Sequence, residues 1–224
     1  MDSKFRGILA VVCLLSAALA CRAVTGGGSD STPTPSTQSI IFSDDFSSSQ
    51  WGTGTDSDSS IEYANNALKM IVYTTNYFVW STPNDQDYQG AHIEVTVNNN
   101  NTDSTTGFGI ICNKQATNGD FYYLAMTPAG EFAIAKAVEE QSDLFLTNND
   151  QWASSSLIAQ NASSYRVGVD CGKGTLTLYV DGQQIASVSD STYTSGGVGL
   201  FTWSGEEASS TNVSFDDFIM TELP

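Results

Sequence analysis

The stretch from Tyr165 to Ala186 reads Y-R-V-G-V-D-C-G-K-G-T-L-T-L-Y-V-D-G-Q-Q-I-A, and its reading decides the fold. Apolar residues recur at every second position. Val167 and Val169 fall on one side, with Arg166, Gly168 and Asp170 on the other. Leu176, Leu178 and Val180 fall on one side, with Thr175, Thr177 and Tyr179 opposite. A period of two is the signature of a strand with one buried face. The pair Asp181-Gly182 separates L-T-L-Y-V from Q-Q-I-A-S-V and is the pair a two-residue type I′ turn requires. Cys171-Gly172-Lys173-Gly174 makes the preceding link. Three consecutive strands joined by tight turns are an antiparallel meander.

The same grammar extends over the rest of the chain. Ile, Val, Tyr and Phe alternate with Thr, Ser and Asn, and turn residues recur every eight to twelve positions. Strands are expected near 40–46, 60–64, 67–73, 77–81, 90–98, 106–114, 120–127, 131–138, 156–160, 164–171, 174–181, 184–189, 196–203 and 211–221. No segment holds a helical period. Residues 39–224, about 185 in number, form one domain of a length that buries roughly 70% of its unfolded surface. So many short strands in one domain predict an all-β fold of two antiparallel sheets packed face to face.

The order of segments carries a resemblance. D-D-F-S and Trp51 come first, followed by G-F-G-I-I-C, F-Y-Y-L-A-M and G-E-F-A-I-A-K. Y-R-V-G-V-D-C-G, L-T-L-Y-V-D-G-Q-Q-I-A, S-G-G-V-G-L-F and a closing V-S-F-D-D-F-I-M complete it. This resembles the concanavalin A-like lectin/glucanase superfamily, the jelly roll of laminin-G-type domains, legume-type lectins and family 16 glucanases, and it is similar to lectin-like domains of bacterial surface lipoproteins. The resemblance implies a jelly-roll sandwich with a carbohydrate-related role. It also implies structural calcium held by backbone carbonyls and an aspartate of the last strand. Asp216 stands there, and Asp45 on the first strand is its expected neighbour. Hard oxygen ligands suit that ion. The bland alternative is that these aspartates end strands and accept loop N–H groups.

Glucanases of family 16 carry E-x-D-x-E on one strand, which places the carboxylates on one face for acid and nucleophile work. That motif is absent. Glu139-Glu140 and Glu206-Glu207 are adjacent pairs and would face opposite sides of a strand. A sandwich family assigned to 3-keto-glycoside hydrolysis is a further resemblance, but Asn113 stands where an arginine belongs to its pattern. His92 is the sole histidine, so a triad or a histidine zinc site would hang on one residue. No glycine-rich phosphate loop, C-x-x-C or dinucleotide fingerprint occurs. The expectation is therefore a glycan-binding domain without catalysis. A glycan hydrolase and a protein-interaction or adhesion module are the rivals.

Strand parity supplies a candidate site. Opposite the core positions lie His92 and Glu94, Gly107 and Gly109, Ala133 and Ala135, Arg166, and Tyr179. Small residues floor a depression, and the polar and aromatic groups offer a sugar hydrogen bonds and a stacking face. Periodicity does not say which of these strands share a sheet. Cys112 and Cys171 both have core-side parity, which reads as a disulfide in an exported chain or as two separate buried thiols.

The N-terminus gives an address. Lys4 and Arg6 precede an apolar run from Ile8 to Ala20 that ends in small residues before Cys21. This is a secretory signal, too short to span a bilayer. Cys21 after small residues resembles a bacterial lipobox, with Ala18 in place of the usual leucine. It reads as the lipidated first residue of an exported cell-surface or periplasmic bacterial lipoprotein, or as an incidental residue after ordinary cleavage at 20. Residues 21–38 are poor in apolar residues and read as a disordered tether. The net charge is −17, and loss of residues 1–20, with Lys4, Arg6 and Asp2, leaves about −18. Nucleic acid and anionic lipid headgroups are excluded as partners on that ground. A protein partner and a membrane contact through the lipid alone stay open.

Overall fold

The computed structural model describes residues 38–101, 103–206 and 210–223. The signal, Cys21 and nearly all of the tether lie outside the described residues. In chain order the strands are β1 (Ile40–Asp44), β2 (Gly54–Thr55), β3 (Ser59–Tyr63), β4 (Leu68–Val72), β5 (Phe78–Ser81), β6 (Ala91–Asn99), β7 (Gly107–Lys114) and β8 (Phe121–Met126). There follow β9 (Glu131–Ala137), β10 (Leu144–Phe145), β11 (Ala153–Ser154), β12 (Ser164–Gly172), β13 (Thr175–Val180), β14 (Gln183–Ser189), β15 (Gly197–Trp203) and β16 (Thr211–Glu222).

Nine strands form one sheet, ordered β14-β13-β12-β6-β16-β4-β3-β2, with β1 beside the second half of β16. Seven form the other, ordered β10-β9-β8-β7-β15-β5, with β11 also against β9. We call them the large and the small sheet. This is the all-β, two-sheet antiparallel jelly roll expected from the sequence.

The meander of β12, β13 and β14 sits at one edge of the large sheet. Asp181 (φ 51°) and Gly182 (φ 75°) make one turn, and Lys173 (φ 54°) and Gly174 (φ 75°) make the other. Two successive positive φ values match the twist of the flanking strands, which is why these turns hold the register. The core is where parity placed it. Ile93, Val95, Val97, Val167, Val169, Leu176, Leu178 and Val180 from the large sheet meet Phe108, Ile110, Phe132 and Ile134 from the small one, all in one buried cluster.

Cys112 and Cys171 are disulfide-bonded, with Cα atoms 6.3 Å apart. The bond joins β7 to β12 and therefore ties the two sheets across the core, the first of the two outcomes that core-side parity allowed. Residues 156–160 are a turn instead of a strand. Ile158 N bonds back to Ser155 O and Leu157 N to Ser155 Oγ, and the turn plugs Ile158 into the core at 2% exposure. The short strands β2, β10 and β11 were not visible as patterns, because two residues carry no period.

Candidate functional site

The expected site residues fall on two opposite faces. His92 and Glu94 on β6, Arg166 on β12 and Tyr179 on β13 belong to the large sheet. Gly107 and Gly109 on β7 and Ala133 and Ala135 on β9 belong to the small one. Each set points away from the shared core, so no single groove holds all eight. The reason is topological: which strands are neighbours depends on crossovers between distant segments, and a period of two does not encode them.

On the large sheet the four polar residues do meet. Tyr179 OH donates to Asp170 Oδ2 at 2.8 Å, and Asp170 Oδ1 lies 2.6 Å from His92 Nδ1. His92 Nε2 lies 3.4 Å from Glu94 Oε1, whose other oxygen accepts from Arg166 Nε at 3.3 Å. Arg166 Nη1 donates to Thr96 Oγ1, to the Asp217 carbonyl at 2.6 Å and to Asp217 Oδ2. Gly168 lies among them, where an added Cβ would come 3.3 Å from Tyr179 Cβ. The hydrogen bond that His92 makes to the Asp170 carboxylate raises the His92 pKa against the opposing effect of burial. Burial and the bond to Asp170 push the Tyr179 phenol up to about 12. Burial works against the Asp170 carboxylate, yet bonds from His92 and Tyr179 hold it below the usual carboxylate range. Each member of the chain spends its polar groups on another member, which makes it a clamp across β13, β12, β6 and β16.

The small sheet presents the opposite chemistry. Its outward positions are Phe78 and Trp80 on β5, Phe201 and Trp203 on β15, Gly107, Gly109 and Ile111 on β7, Phe121, Tyr123 and Ala125 on β8, and Ala133, Ala135 and Ala137 on β9. The β10–β11 segment adds Asp143, Phe145 and Trp152. These build a cavity of about 390 Å³, floored by Gly107, Ala125 and Ala137 and walled by Phe78, Phe121, Phe145, Phe201, Trp152 and Trp203. Phe78 stacks on Phe201 with ring centroids 4.6 Å apart. Trp152 and Trp203 lie nearly parallel at 6.0 Å. The volume is that of a small-molecule site.

Local bonds fix the walls. Trp203 Nε1 donates to Asn76 Oδ1, Asn148 Nδ2 donates to the Trp152 carbonyl and Phe145 N donates to Asp150 Oδ1. Asn148, Asn149 and Asp150 all have positive φ, a tight turn that Asn and Asp tolerate best among residues with a side chain. Tyr123 OH donates to Asp143 Oδ2 at 2.8 Å, and burial pushes that phenol far up. Past the tryptophan pair lies a second depression lined by Thr105, Thr127, Glu131, Trp152, Trp203, Gly205 and Glu206.

The four small residues therefore have different roles. Gly107 belongs to the floor, and a Cβ there would only touch Trp203 and Trp152 at 3.4 and 3.6 Å. Gly109 is glycine because a Cβ would lie 2.0 Å from the Leu124 carbonyl oxygen. Ala135 packs in the aromatic cluster under the cavity, and Ala133 is fully buried without lining it. The aromatics that line the cavity are not among the residues expected from strand parity, although the sequence carries a signal for them. F-Y-Y-L-A-M and G-F-G-I-I-C are apolar at both parities, which means a strand apolar on its outward face as well.

Asp45 accepts from the Ser47 N–H and hydroxyl, and Asp216 accepts from the Asp217 N–H. Among the described residues no group of three or more His, Cys, Asp or Glu side chains is placed to hold a metal ion. Asn113, the arginine-replacing position, is buried and donates to the Tyr193 carbonyl, so it anchors a loop.

No family model and no curated protein matches the chain. Solved structures do. A carbohydrate binding module (CBM66) from Bacillus subtilis matches with TM-score 0.56 at 13% identity, covering 77% of this chain and 96% of that one. A Bacillus subtilis protein of unknown function with a galectin-like fold matches with TM-score 0.59 at 11% identity, covering 82% and 96%. A β-glucanase from Bacillus licheniformis matches with TM-score 0.56 at 12% identity, covering 82% and 98%. The fold is the concanavalin A-like sandwich.

Proposed function

We propose that the domain binds a glycan in the aromatic groove of the small sheet, without catalysis, as an exported and lipid-tethered module. The observation that carries this reading is the groove itself: six aromatic rings around a floor of Gly and Ala, held in place by side-chain bonds behind them. Pyranose rings present apolar C–H faces, and flat aromatic surfaces are their natural complement. The depression beyond Trp152 and Trp203 prolongs the groove, which suits a chain better than a single sugar. That a carbohydrate binding module and a β-glucanase share the fold supports the substrate class. The inter-sheet disulfide supports export, and Cys21 supplies the attachment point for lipid.

The test is Ala137→Trp. Ala137 is half-buried and faces the cavity, so an indole there occupies the groove without entering the core. Glycan binding should be abolished while the thermal midpoint moves little. Undiminished binding by the folded variant would place the site elsewhere.

Hydrolysis is a second reading with one observation in its favour: Glu131 and Glu206 both line the adjoining depression. Turnover of a polysaccharide by the purified protein, lost in Glu131→Gln, would establish it in place of simple binding.

A further inference from the structure

Of the groove's lining residues only Asn76 and Asp143 are polar beyond a phenol, and none is a cation. The Asn76 amide oxygen already accepts from Trp203. Asp143 differs. Its Oδ2 accepts from the hydroxyl of Tyr123, another residue that lines the groove, which orients the carboxylate, and among the described residues no second donor reaches it. The carboxylate itself is exposed at the groove edge, beside Phe145 and above Tyr123.

The basic residues of the domain are placed elsewhere. Lys69 pairs with Glu62, Lys136 with Asp190 and Arg166 with Glu94. Lys114 sits over the Trp80 ring, and Lys173 lies in the β12–β13 turn. An acidic sugar in the groove would meet a fixed carboxylate with no counter-charge. An ammonium group would meet that carboxylate and the negative faces of the surrounding rings together, the combination that attracts cations most strongly.

We propose that Asp143 is a specificity residue, and that the groove selects amine-bearing glycans over their acylated forms and rejects acidic ones. This rests on the glycan-binding reading and adds the substrate class. Rejection by an unpaired like charge is as much a part of selectivity as attraction.

The experiment titrates the purified protein with three hexamers, of glucosamine, N-acetylglucosamine and galacturonate, below pH 6.5 so that the amines are charged. At 0.15 M salt the screening length is about 8 Å, which suppresses the pull of the domain's overall negative charge. The glucosamine hexamer should bind about tenfold tighter than the acetylated one, and the galacturonate hexamer should not bind. Asp143→Asn should bring the first two within about twofold. Asp85→Asn, an exposed acid in a loop with no groove contact, should leave the tenfold preference intact. Ala137→Trp should abolish binding of every hexamer. Equal or tighter binding of the acetylated hexamer, tight binding of galacturonate, or an amine preference that survives Asp143→Asn overturns the inference. Sensitivity of that binding to Ala137→Trp shows that the glycan site still stands. Glucosamine binding unaffected by Ala137→Trp overturns the site and the inference together. Failure of all three hexamers also overturns the inference, and the glycan reading then falls only if a wider glycan array is blank.

Discussion

The outward faces of the two sheets are built on opposite principles. The large sheet carries Tyr179, Asp170, His92, Glu94, Arg166 and Asp217, each bonded to the next. The small sheet carries rings that stack on one another and leave an open cavity between them. A polar chain that satisfies itself has little left to offer a ligand, whereas aromatic faces kept open to solvent are a standing cost that a ligand relieves. Polar residues gathered on a surface are thus poor evidence of a site until their partners are counted.

The largest effect on binding expected from truncating a single side chain is on the aromatic side. Trp152→Ala should weaken glycan binding by about thirtyfold, the scale of a buried aromatic anchor worth about 2 kcal/mol, with little change in the unfolding free energy. Calorimetric titration and denaturant unfolding of the same variant separate the two. Next comes the covalent tie behind both faces. Replacing Cys112 and Cys171 together by Ala should cost about 2–4 kcal/mol of unfolding free energy, since their separation of 59 residues closes a long loop. Binding by the still-folded variant should be unchanged.

On the polar side Arg166→Ala should cost about 1 kcal/mol, because the groups are half-exposed and the loss is screened, while glycan affinity stays within twofold. The smallest effect is in pH. The His92 pKa is raised in the folded state by Asp170, with Glu94 adding to it, so the stabilisation is fully present below the ordinary value near 6.5. It is lost as pH rises through the raised folded value. Denaturant midpoints should fall across that window in the native protein and stay flat in His92→Gln.

The contrast also says what the sequence disclosed. The strands of the large sheet alternate cleanly, as in A-H-I-E-V-T-V and T-L-T-L-Y-V, so their core side and their polar partners could be read directly. The Asp181-Gly182 turn and the core-side parity of both cysteines were local facts and survived intact. The groove was not local. It needs β5, β7, β8, β9 and β15 side by side, and β15 reaches β7 only after a crossover of more than eighty residues. Phe121 and Tyr123 were hidden for a second reason: in F-Y-Y-L-A-M both parities are apolar, so alternation gives no preference. The excess of apolar residues over what one face can bury was the usable signal.

On the proposed reading, ligand recognition belongs to the aromatic face and structure to the polar one. The most direct measurement is a side-by-side titration of Trp203→Ala and Arg166→Ala with the oligosaccharide that binds the native protein best on a glycan array. At least a thirtyfold loss is expected for Trp203→Ala and a change within twofold for Arg166→Ala. Full affinity in Trp203→Ala together with lost affinity in folded Arg166→Ala would contradict it and move the site to the large sheet.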